Sequence, residues 1–232
     1  MVLRKQEAAT NRKLFEERNF PDYTKGEEIF NMVSHIVGAV FGAAALVLCI
    51  VISISHGKQW SLFSSIVYGI SVILMFTVSS IYHGLNKNTG KIVMRIIDHC
   101  DIYFTIAGTY TPVLLVSLRP SYPILAWVIF FIEWGTAIFA VVLNAVDLLK
   151  FEKFSFVCYL VMGWCVVISI KQVYEVLGLK GFLWILLGGI AFTVGSVIYL
   201  LGSKHRYAHS VFHIFVVIGV VLQFFGIIFY VF

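Results

Sequence analysis

Long apolar blocks alternate with short polar ones along this chain, and the blocks set the fold class. Runs bounded by charge, glycine or proline cover about residues 28–54, 60–84, 93–118, 122–144, 154–175, 181–202 and 207–231. Each is close to the roughly 20 residues that carry an α-helix across about 30 Å of hydrocarbon. The pattern predicts an all-α, polytopic membrane protein built as a seven-transmembrane helix bundle. The connections are short, so residues 28–232 form one transmembrane domain, with no low-complexity segment and no internal repeat. Residues 1–27 are polar and mixed in charge, lack a short apolar core followed by small residues, and read as a cytoplasmic N-terminal tail rather than a cleaved signal. Glu27 and Glu28 then place acidic groups at the positive end of the first helix.

Composition agrees with the pattern. Hydrophobic residues make up 60% of the 232 and charged residues 12%, against about a quarter charged in soluble domains. The net charge of +5 sits in the tail and loops, without a basic stripe interleaved with aromatics, so it points to orientation and lipid headgroups and to no nucleic acid. Lys and Arg number six in the tail, three in the second loop (Lys87, Lys91, Arg95), two in the fourth (Lys150, Lys153) and two in the sixth (Lys204, Arg206). The opposite side has only Lys58, Arg119, Lys171 and Lys180. Because positive loops stay inside, the N-terminus is cytoplasmic, the C-terminus outside, and the protein belongs in the cell membrane. This direction is opposite to that of G-protein-coupled receptors, and the last span has no lysine for a retinal Schiff base. Cys49, Cys100, Cys158 and Cys165 lie in apolar runs without close spacing and read as small hydrophobes.

Ionisable groups inside spans are costly and usually face the bundle interior, so their depths carry the chemistry. With this topology His83 ends the second span, Asp98 lies about a turn into the third, and His209 and His213 occupy the first two turns of the seventh, all near the cytoplasmic face. His209 and His213, four apart, share a helix face. That pair alone fits interhelical hydrogen bonding as well as metal binding. His83 at matching depth completes the three protein ligands that a Zn2+ site with an open position uses. Ser79, four residues before His83, and Asp98 are placed to hold a zinc-bound water or to orient a ligand. His35, near Glu28 and Asn31, is expected to support the site rather than ligate. Asp101 shares the Asp98 face, His99 points elsewhere, and His56 and His205 lie in solvated loops. Glu133, in the middle of the fourth span without an obvious basic partner, is expected to be protonated, hydrogen-bonded, or both. Gly108, Gly135, Gly163, Gly188, Gly189 and Gly195 are expected to serve close helix packing.

Three motifs carry a resemblance: Ser79-Ser80-Ile81-Tyr82-His83, the stretch from Asp98 ending Ala107-Gly108-Thr109-Tyr110-Thr111-Pro112, and His209-Ser210-Val211-Phe212-His213. From about Glu28 to its C-terminus the chain resembles the bacterial hemolysin III proteins, within the progestin and adiponectin receptor family and, more remotely, the alkaline ceramidases. The resemblance implies a seven-helix fold with a cytoplasmic N-terminus and zinc held by His83, His209 and His213. It also carries the family aspartate onto Asp98 and the family serine onto Ser79, and makes Glu28, Asn31, Ser34 and His35 the family's first motif. Asp101 stands where related animal receptors have glycine, which leaves a changed ligand set open.

Three functions are expected to compete. The first is membrane lipid sensing or homeostasis, with membrane lipids as partners and zinc bracing the helices. The second is zinc-dependent hydrolysis of a lipid amide or ester, with substrate entering from the bilayer, Asp98 as general base and Ser79 as hydrogen-bond donor. The third, a pore-forming cytolysin, is disfavoured because a uniformly apolar multi-span chain lacks an amphipathic insertion segment.

Overall fold

The structure is a computed structural model that describes residues 20–202 and 205–232. Among the described residues every regular element is helical. They are α1 (Lys25–His56), α2 (Ser61–Gly84), α3 (Thr89–Pro112) continued by a π-helical turn (Val113–Leu118), α4 (Pro123–Gly163), a 3-10 turn (Cys165–Ser169), α5 (Ile170–Leu201) and α6 (Ala208–Tyr230). Five helical runs are long and apolar enough to cross a membrane.

α1 shows why these segments are helices and why they pack as they do. Thr24 and Glu27 form a reciprocal capping box: the Glu27 amide donates to Thr24 Oγ1 at 3.3 Å and the Thr24 amide donates to Glu27 Oε2 at 2.8 Å. The helix therefore begins at Lys25, three residues before the apolar run. Its inward face is small and polar: Asn31, His35, Gly38, Gly42, Ala45, Cys49 and Ser53 are buried. Its outward face carries Val33, Val37, Val40, Val47, Val51 and Ile54, all exposed. Apolar side out and polar side in is the arrangement that lipid favours, because only the bundle interior can satisfy polar groups.

The fourth run, Pro123–Leu201, is 79 residues, roughly 120 Å if straight, far more than one crossing needs. The sequence places loops at about 144–154 and 175–181; the structure replaces both with single-residue breaks. Asp147 leaves helical geometry (φ −159°, ψ 94°), and its Oδ1 accepts from the Lys150 amide at 3.1 Å, so it caps the helix that follows. Gly178 adopts φ 67°, ψ 175°, a region that only glycine enters without strain. Between them, Tyr110 steadies the change of path at Gly163: its hydroxyl donates to the Gly163 carbonyl and accepts from the Val166 amide, each at 2.9 Å.

α1 packs on α2 and α6, α2 on α3, α3 on α4, and α5 on α6. Hydrogen bonds mark the two ends of the bundle. At one end His56 Nδ1 meets the Phe232 carbonyl at 2.8 Å, Lys58 Nζ donates to the Val231 carbonyl at 2.9 Å, and Arg119 donates to Gln59 at 2.8 Å. His56, expected to be solvated, is thus a link between helix ends. The other end gathers the start of α1, the end of α2 and the start of α6. Between the ends, Phe76, Tyr68, Val72, Leu114 and Ile227 are buried in one hydrophobic cluster. At Gly108 an added Cβ would lie 2.3 Å from Ser71 Oγ, so α2 and α3 touch almost backbone to backbone.

The breaks make a testable contrast. Gly178→Ala is expected to lower stability by about 1–3 kcal/mol, because alanine is strained at that backbone geometry. Gly135→Ala, where an added Cβ meets nothing within 4 Å, should change it by no more than about 1 kcal/mol. Thermal unfolding of the two purified variants in one detergent compares them directly.

Candidate metal centre

The three sequence-predicted histidines meet at the end where α1 begins. His83 is on the last turn of α2, and His209 and His213 are on the first two turns of α6. Each offers one ring nitrogen within 4.8 Å of the others, a group that could hold a metal ion. The Nε2 atoms converge: His209 to His83 is 3.4 Å and His213 to His209 is 3.0 Å. Bonds of 2.0–2.1 Å to a tetrahedral ion imply nitrogen separations of about 3.3–3.4 Å, so the donor set fits such an ion. His83 and His213 are almost fully buried, 3% and 1% exposed.

Each ring is held differently. His83 turns Nδ1 toward Glu28 Oε2 at 2.6 Å. His209 stacks under Tyr23, with centroids 4.9 Å apart and planes 13° from parallel. His213 stacks on His35 at 3.8 Å and 21°. Burial pushes the Tyr23 phenol well above its ordinary pKa, so a neutral ring covers His209. Tyr23 and Pro21 come from the segment before α1 and line the site. Sequence reasoning missed them because nothing in that polar stretch marks a ring that folds back.

Lys91 was also missed as part of the site, and Glu28 was read only as a member of the family's first motif, without its partners. Lys91 reads as a loop cation in the sequence, yet it is 3% exposed and lies in the first turn of α3. Its Nζ donates to Glu28 Oε1 at 2.8 Å and to the Leu85 carbonyl at 2.9 Å. The available signal was the spacing of Glu28, Asn31 and His35, which puts all three on one face of α1. Glu27 points to a different neighbour: Oε1 accepts from the Tyr207 amide at 2.6 Å and Oε2 lies 3.9 Å from Arg206.

A cavity of about 180 Å³ opens onto His209 and His213 and runs into the bundle between α3, the second half of α4, α5 and α6. Ser79 and Asp98 both line it, and the Ser79 hydroxyl lies against the Asp98 carboxyl. His99, expected to point away, also lines the cavity, while its carbonyl accepts from the Tyr159 hydroxyl at 2.8 Å. Asp101 does not reach it; this side chain is buried beside Asp98 with Oδ2 unpartnered among the described residues. The glycines divide. An added Cβ would lie 2.4 Å from Gln223 at Gly188 and 2.7 Å from Phe215 at Gly195, so these two serve close packing together with Gly108. Gly135, Gly163 and Gly189 meet nothing within 4 Å, and Gly163 and Gly189 form cavity wall. Glu133 is buried against Cys165, with neither carboxyl oxygen in a hydrogen bond of ordinary geometry among the described residues.

Residues 23–224 match the family model for Haemolysin-III related proteins. The chain is 37% identical to Hemolysin-3 of Bacillus cereus over 88% of its own length and 92% of that protein. It is 35% identical to the Hemolysin-3 homolog of Bacillus subtilis over 90% and 96%. The human monocyte to macrophage differentiation factor is more distant, 24% identical over 72% of this chain and 70% of its own. This chain therefore belongs to the haemolysin III family and is a multi-pass membrane protein.

Proposed function

We propose that this protein binds zinc through His83, His209 and His213 and hydrolyses an amide or ester bond of a membrane lipid, acting in membrane lipid homeostasis. The observation that carries this reading is the cavity that joins His209, His213, Asp98 and Ser79 to the bundle interior, with His83 packed against the same two histidines. A brace needs no such space.

We further infer seven membrane crossings, with the run after Pro123 passing as 123–146, 148–177 and 179–201. The breaks at Asp147 and Gly178 support that division. The positive charge clustered on one side supports a cytoplasmic N-terminus and an outside C-terminus.

A zinc ion in this site supplies Lewis acidity toward a carbonyl and acidifies water. The chain's own groups do the rest. An Asp98 carboxylate oxygen takes the proton from attacking water and returns it to the departing amine or alkoxide. Ser79 Oγ donates to Asp98 and keeps the carboxylate turned to the cavity. Tyr23 covers His209, and the side-chain-free wall at Gly163 and Gly189 leaves room for an acyl chain. The substrate enters from the surrounding bilayer.

A second reading makes the zinc a brace in a membrane-lipid sensor, and the specific observation behind it is that the ligands tie α2 to α6. A cytolysin reading rests on the relatives' name, Hemolysin-3, with no amphipathic insertion segment to support it.

Purified protein given fluorescent ceramides and acyl esters, alongside metal analysis, separates these readings. Zinc should copurify and be lost from the His209→Ala, His213→Ala double variant together with turnover. Asp98→Asn should keep the metal and lose about 10²–10⁴-fold in rate. Metal-loaded wild type that turns over none of these lipids, yet loses thermal stability on chelation, would favour the sensor over the hydrolase.

The open wall gives an independent check on the route of the substrate. Gly189→Leu should retain zinc while turnover falls about a hundredfold, as expected when reacting groups are displaced by an ångström or so. Unchanged turnover in that variant removes the cavity from the mechanism.

A further inference from the structure

We propose that Glu28 is a positioning residue for the metal centre: its carboxylate, held by Lys91, takes the Nδ1 proton of His83 in a hydrogen bond and so leaves His83 Nε2 as a free lone pair facing His209 and His213. The inference rests on the zinc reading above and concerns how one ligand is prepared.

The geometry is a chain across three helices. Lys91 Nζ of α3 donates to Glu28 Oε1 of α1 at 2.8 Å, and Glu28 Oε2 faces His83 Nδ1 of α2 at 2.6 Å. Lys91 is also fixed by the Leu85 carbonyl at 2.9 Å, and its ammonium lies 5.0 Å from the Tyr82 ring centre. A carboxylate only accepts, so the nitrogen 2.6 Å from it must carry hydrogen. Neutral imidazole then has its lone pair on Nε2. Neither His209 nor His213 has a carboxylate partner: their Nδ1 atoms make no hydrogen bond of ordinary geometry among the described residues, His213 has only the Asn31 backbone near it, and stacking on Tyr23 and His35 restrains their ring planes. His83 is thus the one ligand of the three whose proton is placed by a carboxylate, and a metal-ligating histidine is commonly prepared in this way.

Lys91 makes the arrangement directional. It occupies the Oε1 side of Glu28 as a donor with no acceptor capacity. In Glu28→Gln the single amide oxygen is drawn to Lys91, which turns the amide NH2 toward His83. His83 Nδ1 must then accept, its proton moves to Nε2, and the metal-facing nitrogen is blocked. Adding Lys91→Met removes that demand and lets the substituted amide rotate its oxygen back to Nδ1–H.

The test uses full-length protein in detergent, with 15N-histidine NMR on the metal-free form and zinc affinity by chelator competition. Wild type should show His83 protonated at Nδ1. Glu28→Gln should show the proton at Nε2 and bind zinc about 10–100-fold more weakly. The Glu28→Gln, Lys91→Met double variant should regain the Nδ1–H form and most of the affinity, whereas a merely structural role predicts that the second loss worsens the first. Should Glu28→Gln fail to fold, the wild-type tautomer and the double variant still decide. A wild-type His83 protonated at Nε2, or a Glu28→Gln protein with unchanged tautomer and affinity, overturns the proposal. Wild type that binds no zinc defeats the zinc reading, and the tautomer measurement still judges Glu28 separately.

Discussion

The start of α1 is the constraint on which this molecule's interior depends. Glu27 and Glu28 are adjacent on a helix, so their side chains leave about 100° apart and reach different neighbours. Glu27 takes the backbone ahead of α6, and Glu28 takes the end of α2 and the start of α3. A carboxylate inside a bundle is tolerated only when paired and hydrogen-bonded, and each of these is. Two neighbouring residues thereby fix the relative positions of the elements that carry His83, His209 and His213.

Around that fastening the bundle is built inside out relative to a soluble protein. Buried serines and histidines share the interior with Val72, Phe76 and Ile227, while Val40, Ile124 and Phe131 are among the many apolar side chains that face outward. Links such as Ser53 to Ser65 at 2.6 Å and Asn144 to Ser155 at 2.6 Å are interior joints. They matter because lipid gives no hydrophobic reward for bringing helices together, which leaves packing and hydrogen bonds to do so. The cavity interrupts this packing where Gly163 and Gly189 present no side chain, so the space beneath the histidines belongs to the backbone path of α4 and α5.

Helical class and membrane character were legible because they are properties of composition and run length. The convergence of His83, His209 and His213 was legible too, since loop charge alone ranks their depths. What escaped was set by side-chain direction and by contacts across long separations. Glu28 lies 55 residues from His83 and 63 from Lys91, and Lys91 has the same spelling whether it faces water or a buried carboxylate. His99 enters the cavity through helix rotation, which its position beside Asp98 does not specify. The breaks at Asp147 and Gly178 are single residues where polar clusters suggest loops, because one aspartate cap or one glycine at positive φ suffices to redirect a helix.

The separation of the three histidines along the chain governs when their cluster can form. His83 and His209 are 126 positions apart and Glu27 and Tyr207 180 apart, so the ribosome finishes most of the protein before either contact can close. Until α6 has been made, His83 lacks both of its histidine neighbours. Any ion held by all three histidines is acquired only by a chain whose last helix has joined the others, which makes ion capture a biosynthetic mark of completed assembly.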